Sequence, residues 1–288
     1  KSALDARARE LTTREAAKPL AQDAAQPSSK TAAPERPGLE RKPYVDPDPV
    51  RVPRETSATI SPAVQPLEIF TLCPAGNSLP PPCAVIWLGA MGTDVHDFSE
   101  LPEQVWHLGG PAARYYMVNA PRIELSAAPG KRIRAWFDLP ARSGSEDEAR
   151  IRSSADQISR LVEQVAAKGM PRKRIFLAGF SQGGSMALFT GLRQELALGG
   201  LIALSAHLPL VKTLPAEIKA GGLSTPVFMG HGAYDDVVPL PLAEQSARLI
   251  RSCGAPLLWR EYEAEHDFGE EALEDMAGFL RRAIEGGF

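Results

Sequence analysis

From Leu67 onward, short apolar runs alternate with helical periods, and that alternation restricts the fold more than any other feature of the chain. The first runs are Leu67-Glu68-Ile69-Phe70-Thr71-Leu72 and Ala84-Val85-Ile86-Trp87-Leu88. A helix is predicted from about Asp147, because Ile151, Ala155, Ile158, Val162 and Val165 recur at three- and four-residue steps. Beyond it the pattern predicts strands over 174–180, 201–205, 226–230 and 257–263, with helices over 182–195, 241–253 and 270–285. Strands separated by helices need crossover connections, so the expected class is α/β, with a mostly parallel central sheet covered by helices on both faces.

Residues 1–64 have a different composition: Ala, Pro, Ser and charged side chains, with no aromatic residue before Tyr44 and prolines recurring from Pro34 to Pro53. Such a segment cannot bury enough apolar area to offset its ordering entropy. It is expected to be a disordered tail, with at most a frayed helix over about 6–18, ahead of a catalytic domain over 65–288.

The rest of the composition narrows the partners. A net charge of -3 without a dense basic block argues against nucleic acid. No apolar run approaches the roughly 18 residues of a membrane span. Cys73, Cys83 and Cys253 are too few and scattered for a disulfide framework or a cysteine-based zinc site, although Cys73 and Cys83 are a possible pair in an oxidising compartment. The chain starts at Lys1, so export after loss of a leader stands as the alternative to a cytoplasmic location.

Chemistry is expected where the run 174–180 gives way to a helix, because open α/β sheets place their working site at the carboxyl ends of strands. There, Gly179-Phe180-Ser181-Gln182-Gly183 has the G-x-S-x-G form of a nucleophile elbow, in which small residues let the backbone turn and lift a serine Oγ clear of the sheet. A serine nucleophile needs a histidine base and an acid to orient it, following in the order Ser, acid, His. The loop "GHGAYDDVVP" offers Asp235 or Asp236 as the acid, and "YEAEHDFGEE" offers His266 as the base. His231 is expected to pack or hydrogen-bond behind the acid loop. His96 and Asp97 lack further ligands at metal spacing, so no metal is expected.

Around these residues, "AVIWLGAMGTDVHDF", "NAPRIELSAAPGKRIRAWFD", "SEDEARI", "RIFLAGFSQGGSMAL", "HGAYDDVVP" and "EHDFGEEALEDMAGFL" resemble, in order, the blocks of the carboxylesterase, lysophospholipase and acyl-protein thioesterase family. The resemblance runs from about Leu67 to the end of the chain. It implies an α/β-hydrolase fold, with Ser181 as nucleophile, His266 as base and Asp235 as acid, leaving Asp236 to cap the following turn. It further implies an oxyanion hole from the backbone N–H groups of Met91 and Gln182, no cofactor, and small-molecule ester or thioester substrates, and it leaves a homodimer open.

The sequence departs from that family at one place. The family's V-I-W-L-H-G-L-G-A-D-G becomes Gly89-Ala90 at His-Gly, and its last glycine becomes Val95. If the replaced glycine required positive φ, Ala90 would strain the loop or change its path. The change motivates an alternative, a ligand-binding domain that keeps the fold without catalysis. A second alternative is an exported esterase. In the long, irregular connection after Asn119, Trp136 and Phe137 are expected to line the acyl site, with core packing as their other reading. No large apolar insertion suggests a lid, so the expected pocket is open and suited to soluble monoacyl substrates.

Overall fold

The computed structural model describes residues 66–74, 80–139 and 146–288, and the tail expected over 1–64 lies outside them. Among the described residues nine strands run in order: β1 (Glu68–Leu72), β2 (Ala84–Leu88), β3 (Arg114–Asn119), β4 (Arg122–Leu125), β5 (Ala128–Arg134), β6 (Ile175–Phe180), β7 (Gly200–Leu204), β8 (Val227–Gly232) and β9 (Leu257–Tyr262). Seven of them form one sheet in the order β1-β3-β2-β6-β7-β8-β9, and β4 and β5 form a separate hairpin. Only β1 runs antiparallel to its neighbour in the large sheet.

Each central strand is apolar on both sides, and its residues alternate between two cores. Ile86, Leu88, Ile175, Leu177, Leu201, Ala203, Val227 and Met229 face one core. There they meet helices α2 (Glu148–Ala167), α3 (Gln182–Gly191) and α4 (Leu240–Ser252), through Ile158, Met186 and Ile250 among others. Val85, Trp87, Phe176, Ala178, Ile202 and Phe228 face the other. Helix α1 (Leu101–His107) and helix α5 (Glu270–Glu285) close that side with Val105, Met276 and Phe279. The periodic positions predicted for the helix near Asp147 are its buried stripe, and the Asp147 carboxylate caps it by accepting from Arg150 N–H.

Among the elements not foreseen are β3, α1 and the β4–β5 hairpin. RYYMVN is a short apolar run beginning with arginine, without the length or punctuation that separates strand from helix. The connection expected to be irregular is a hairpin with Ile123 and Leu125 turned inward, disguised by a register shift after Glu124 and by Pro129-Gly130 inside β5. Among the described residues no helix is long and apolar enough to cross a membrane. Cys73 and Cys83 are not joined by a disulfide, and burial pushes the Cys83 thiol up to about 12 against the nearby Arg174 cation.

The junction that places the site is the start of α3, which presses on the end of β2. A Cβ on Gly183 would stand 2.0 Å from Leu88 O and 2.8 Å from Gly89 O. Gly278 on α5 faces open space. Gly183→Ala is therefore expected to cost about 3 kcal/mol or more through a clash with fixed backbone. Gly278→Ala should stabilise by about 0.5–1 kcal/mol by removing a helix-interior glycine. Urea unfolding midpoints of the two variants check the pair.

Candidate active site

Strand β6 passes into α3 with a single residue between them. Ser181 takes φ 55°, ψ -124°, a conformation costly for a side-chain-bearing residue. Its N–H donates to Leu204 O on β7 at 2.9 Å, and its C=O accepts from Ser185 N–H at 3.0 Å. The reversal leaves no room for a Cβ at Gly179, which would stand 2.5 Å from Gly183 C. The glycine spacing is thus steric, and it sets Ser181 Oγ at the carboxyl end of the sheet with 4% of the residue exposed.

Two further loops converge on that oxygen. Ala233 N–H donates to Tyr262 O at 2.8 Å and Tyr234 N–H to Ala264 O at 3.0 Å, locking the loop after β8 to the loop after β9. The contact is close enough that a Cβ on Gly232 would meet Glu265 O at 2.1 Å. His266 Nδ1–H donates to Asp235 Oδ2 at 2.8 Å. An ionised carboxylate only accepts, so the ring proton sits on Nδ1 and the Nε2 lone pair accepts from Ser181 Oγ–H at 3.0 Å. Ser205 Oγ–H donates to Asp267 O at 3.1 Å, and Phe180 lies 4.8 Å from the His266 ring, which fixes the loop from two sides.

The turn after Asp235 departs from expectation. Val237 N–H and Val238 N–H both donate to Asp235 Oδ1, at 2.9 and 2.7 Å, so Asp235 and not Asp236 caps it. A carboxylate has two oxygens, and Asp235 spends one on its own loop and the other on the histidine.

His231 stands behind Asp235, buried, with Nε2–H donating to Val238 O at 2.8 Å and lying 3.3 Å from Asp235 Oδ2. Burial pushes its pKa below the ordinary value despite Val238 O and Asp235, which keeps the ring neutral. Desolvation, with His231 nearby, pushes the half-buried His207 down to about 4. His96 packs on Phe70 at 4.2 Å between ring centres, and among the described residues no group of three His, Cys, Asp or Glu is placed to hold a metal.

On the other side of Ser181 lies the loop after β2. Ala90 is not in the left-handed region, and Gly92, at φ 81°, is the residue of this loop that takes that conformation. The glycine lost at position 90 therefore leaves no backbone strain. The Gln182 N–H lies in the first turn of α3, where no intrahelical acceptor exists. The Gln182 side chain accepts from Trp136 N–H at 2.7 Å and donates from Nε2 to Phe137 O at 2.9 Å. Trp136 Nε1–H donates to Gly89 O at 2.8 Å. Trp136 is fully buried and Phe137 is 5% exposed, both in the core beneath α2 and α3. Sequence reasoning missed this bracing, and also Ser205, because nothing in the sequence ties Gln182 to a tryptophan 46 residues earlier.

Removing the Asp235 carboxylate orphans two backbone donors besides releasing His266. Asp235→Ala is expected to lower unfolding free energy by about 1–3 kcal/mol, measured by chemical denaturation.

Residues 77–284 match the family model described as phospholipase/carboxylesterase. The acyl-protein thioesterase 1 of Neurospora crassa is 31% identical over 212 residues, covering 69% of this chain and 86% of that protein. That of Gibberella zeae is 34% identical over 181 residues, covering 59% and 77%. Among solved structures, esterase PE8 superposes with a TM-score of 0.65 at 26% identity, covering 76% of this chain and all of that one.

Proposed function

This chain belongs to the phospholipase/carboxylesterase family of α/β-hydrolases and is a hydrolase of the esterase and thioesterase class, and from that premise we propose that it cleaves small monoacyl esters or thioesters through an acyl-serine intermediate. The observation that carries the mechanism is the hydrogen-bonded series Ser181 Oγ, His266 Nε2, His266 Nδ1, Asp235 Oδ2, with links of 3.0 and 2.8 Å.

In this mechanism Ser181 Oγ attacks the acyl carbonyl carbon while its proton passes to His266 Nε2. Asp235 stabilises the imidazolium across Nδ1–H without taking that proton. The carbonyl oxygen, now an anion, faces the N–H groups of Met91 and Gln182. Collapse expels the alcohol or thiol leaving group, which receives the proton from His266. Water then repeats the sequence on the acyl-Ser181 ester, with His266 again as base, and releases the carboxylic acid. Trp136 and Phe137 back the site by holding Gly89 and Gln182 in place.

Ser181→Ala is expected to abolish hydrolysis of short p-nitrophenyl esters and labelling by a fluorophosphonate probe, with its unfolding midpoint retained. Turnover of the Ser181→Ala protein at the wild-type rate would overturn the mechanism. Asp235→Asn should lower kcat by about 10⁴-fold, because the amide favours the wrong histidine tautomer, whereas Asp236→Asn should retain most activity.

Substrate length gives a separate expectation. Short and medium acyl chains, as esters or thioesters of one leaving group, should be cleaved faster than emulsified long-chain triglyceride. Rates that favour the emulsion would overturn the monoacyl reading.

A further inference from the structure

The loop carrying Met91 has few internal ties. Thr93 Oγ1–H donates to Ala90 O at 3.1 Å, and Gly89 N–H donates to Val118 O at 3.0 Å. Trp136 Nε1–H holds Gly89 O at 2.8 Å before Met91, and after Met91 much of the fastening comes from one residue of the hairpin. Arg134, the last residue of β5, accepts Gly92 N–H on its backbone carbonyl at 2.8 Å. Its guanidinium, on a side chain only 11% exposed, holds Asp94 Oδ2 and Glu68 Oε2, each at 2.9 Å from the same nitrogen. Asn119 completes the group: Oδ1 accepts Val95 N–H at 2.9 Å, and Nδ2 reaches Glu68 at 3.3 Å and Asp94 at 3.4 Å.

Arg134 therefore grips the segment that follows Met91 at two points, by main chain at Gly92 and by side chain at Asp94. On the inner face of the same hairpin, Ile123, Leu125 and partly buried Ile133 pack on the Met91 side chain. We infer that Arg134 is a positioning residue for the oxyanion hole, holding the Met91 N–H toward the carbonyl oxygen through its pairs with Asp94 and Glu68. The inference rests on the acyl-serine reading above.

The physics gives it a direction. Burial raises the Asp94 carboxyl pKa, but the His96 N–H, Arg134 and Asn119 outweigh it and hold that pKa below its ordinary value, so the partner of Arg134 is a charged one. Two carboxylates share one guanidinium nitrogen, so deleting the cation leaves Asp94 and Glu68 to repel each other. That repulsion acts on the loop directly. An oxyanion donor is effective only when aimed at the position the anion will occupy, so a small displacement of Met91 weakens transition-state binding while leaving substrate binding nearly intact.

The test is Arg134→Gln beside Arg134→Lys, assayed with a p-nitrophenyl ester and with a trifluoromethyl ketone that forms a tetrahedral adduct on serine. The expected result for Arg134→Gln is a fall in kcat of about 10- to 100-fold with KM within about threefold. Ketone affinity should drop by a similar factor, and the Lys variant should recover part of both. The second substitution Glu68→Gln, added to Arg134→Gln, should restore part of the loss by removing the repulsion. Wild-type kcat and ketone affinity in a folded Arg134→Gln protein would overturn the inference. If Arg134→Gln does not fold, Asp94→Asn, which keeps the Glu68 pair, is read the same way: reduced kcat and ketone affinity support the inference, and unchanged values overturn it. Failure of the underlying mechanism is a different result, since it would show as Ser181→Ala protein that still turns over ester.

Discussion

The whole site is organised by a backbone reversal within one residue. A buried strand ends at Phe180 and a buried helix starts at Gln182, and the chain can make that junction only by forcing Ser181 into a conformation that costs about 1–3 kcal/mol. The cost is offset by packing on either side of the turn: β6 lies between β2 and β7, and every residue of α3 is buried. The same reversal drives the first turn of α3 against Leu88 O, which is why Gly183 has no side chain and why the loop after β2 ends up next to Gln182. One steric constraint thus fixes both the Ser181 hydroxyl and the neighbourhood of donors around it.

Asp235 and His266 are placed by sheet order. β8 lies two strands from β6 and β9 lies three, so at about 4.8 Å per strand the histidine loop must run back over the strand ends to reach Ser181. Two contacts hold it on that path. Ser205, at the end of β7 and also at positive φ (47°), anchors Asp267 by its hydroxyl. Phe268 stacks against Phe98 and meets Phe180 and Trp87 edge-on, which fixes the loop to the second core. Asp235 needs a shorter reach, and it is immobilised by using one oxygen on its own turn.

Legibility in the sequence followed the range of the interaction. The alternating runs on β2, β6, β7 and β8 and the stripe on α2 repeat over many residues, so the class of fold could be read from them, and the glycines around Ser181 mark a turn whose sterics are local. The need of a serine for an acid and a base, with the strand ends already placed, led to His266 and to Asp235 or Asp236, and the family resemblance chose Asp235. What escaped was either too short to show a period, as with β3, or joined only in space. Trp136 to Gly89, Gln182 to Phe137 and Arg134 to Asp94 are each bonds between segments more than 38 residues apart, and no spacing announces them. The assignment of the turn after Asp235 failed for another reason: adjacent aspartates are chemically equal in a sequence, and only the backbone direction decides which carboxylate meets Val237 and Val238.

The β4–β5 hairpin divides its residues between two faces. Ile123, Leu125 and Ile133 turn inward to Met91, whereas Arg122, Glu124 and Arg132 turn to solvent, with Glu124 accepting Gly130 N–H and Arg132 donating to Arg122 O within the hairpin itself. Because the pleat keeps these rows apart, Arg122, Glu124 and Arg132 can change in charge or in bulk without moving the inner row, whereas Arg134, on the same face, is tied to Asp94. The exposed end of the hairpin is thus a place where surface chemistry beside the Met91 loop can drift while the packing beneath it is inherited unchanged.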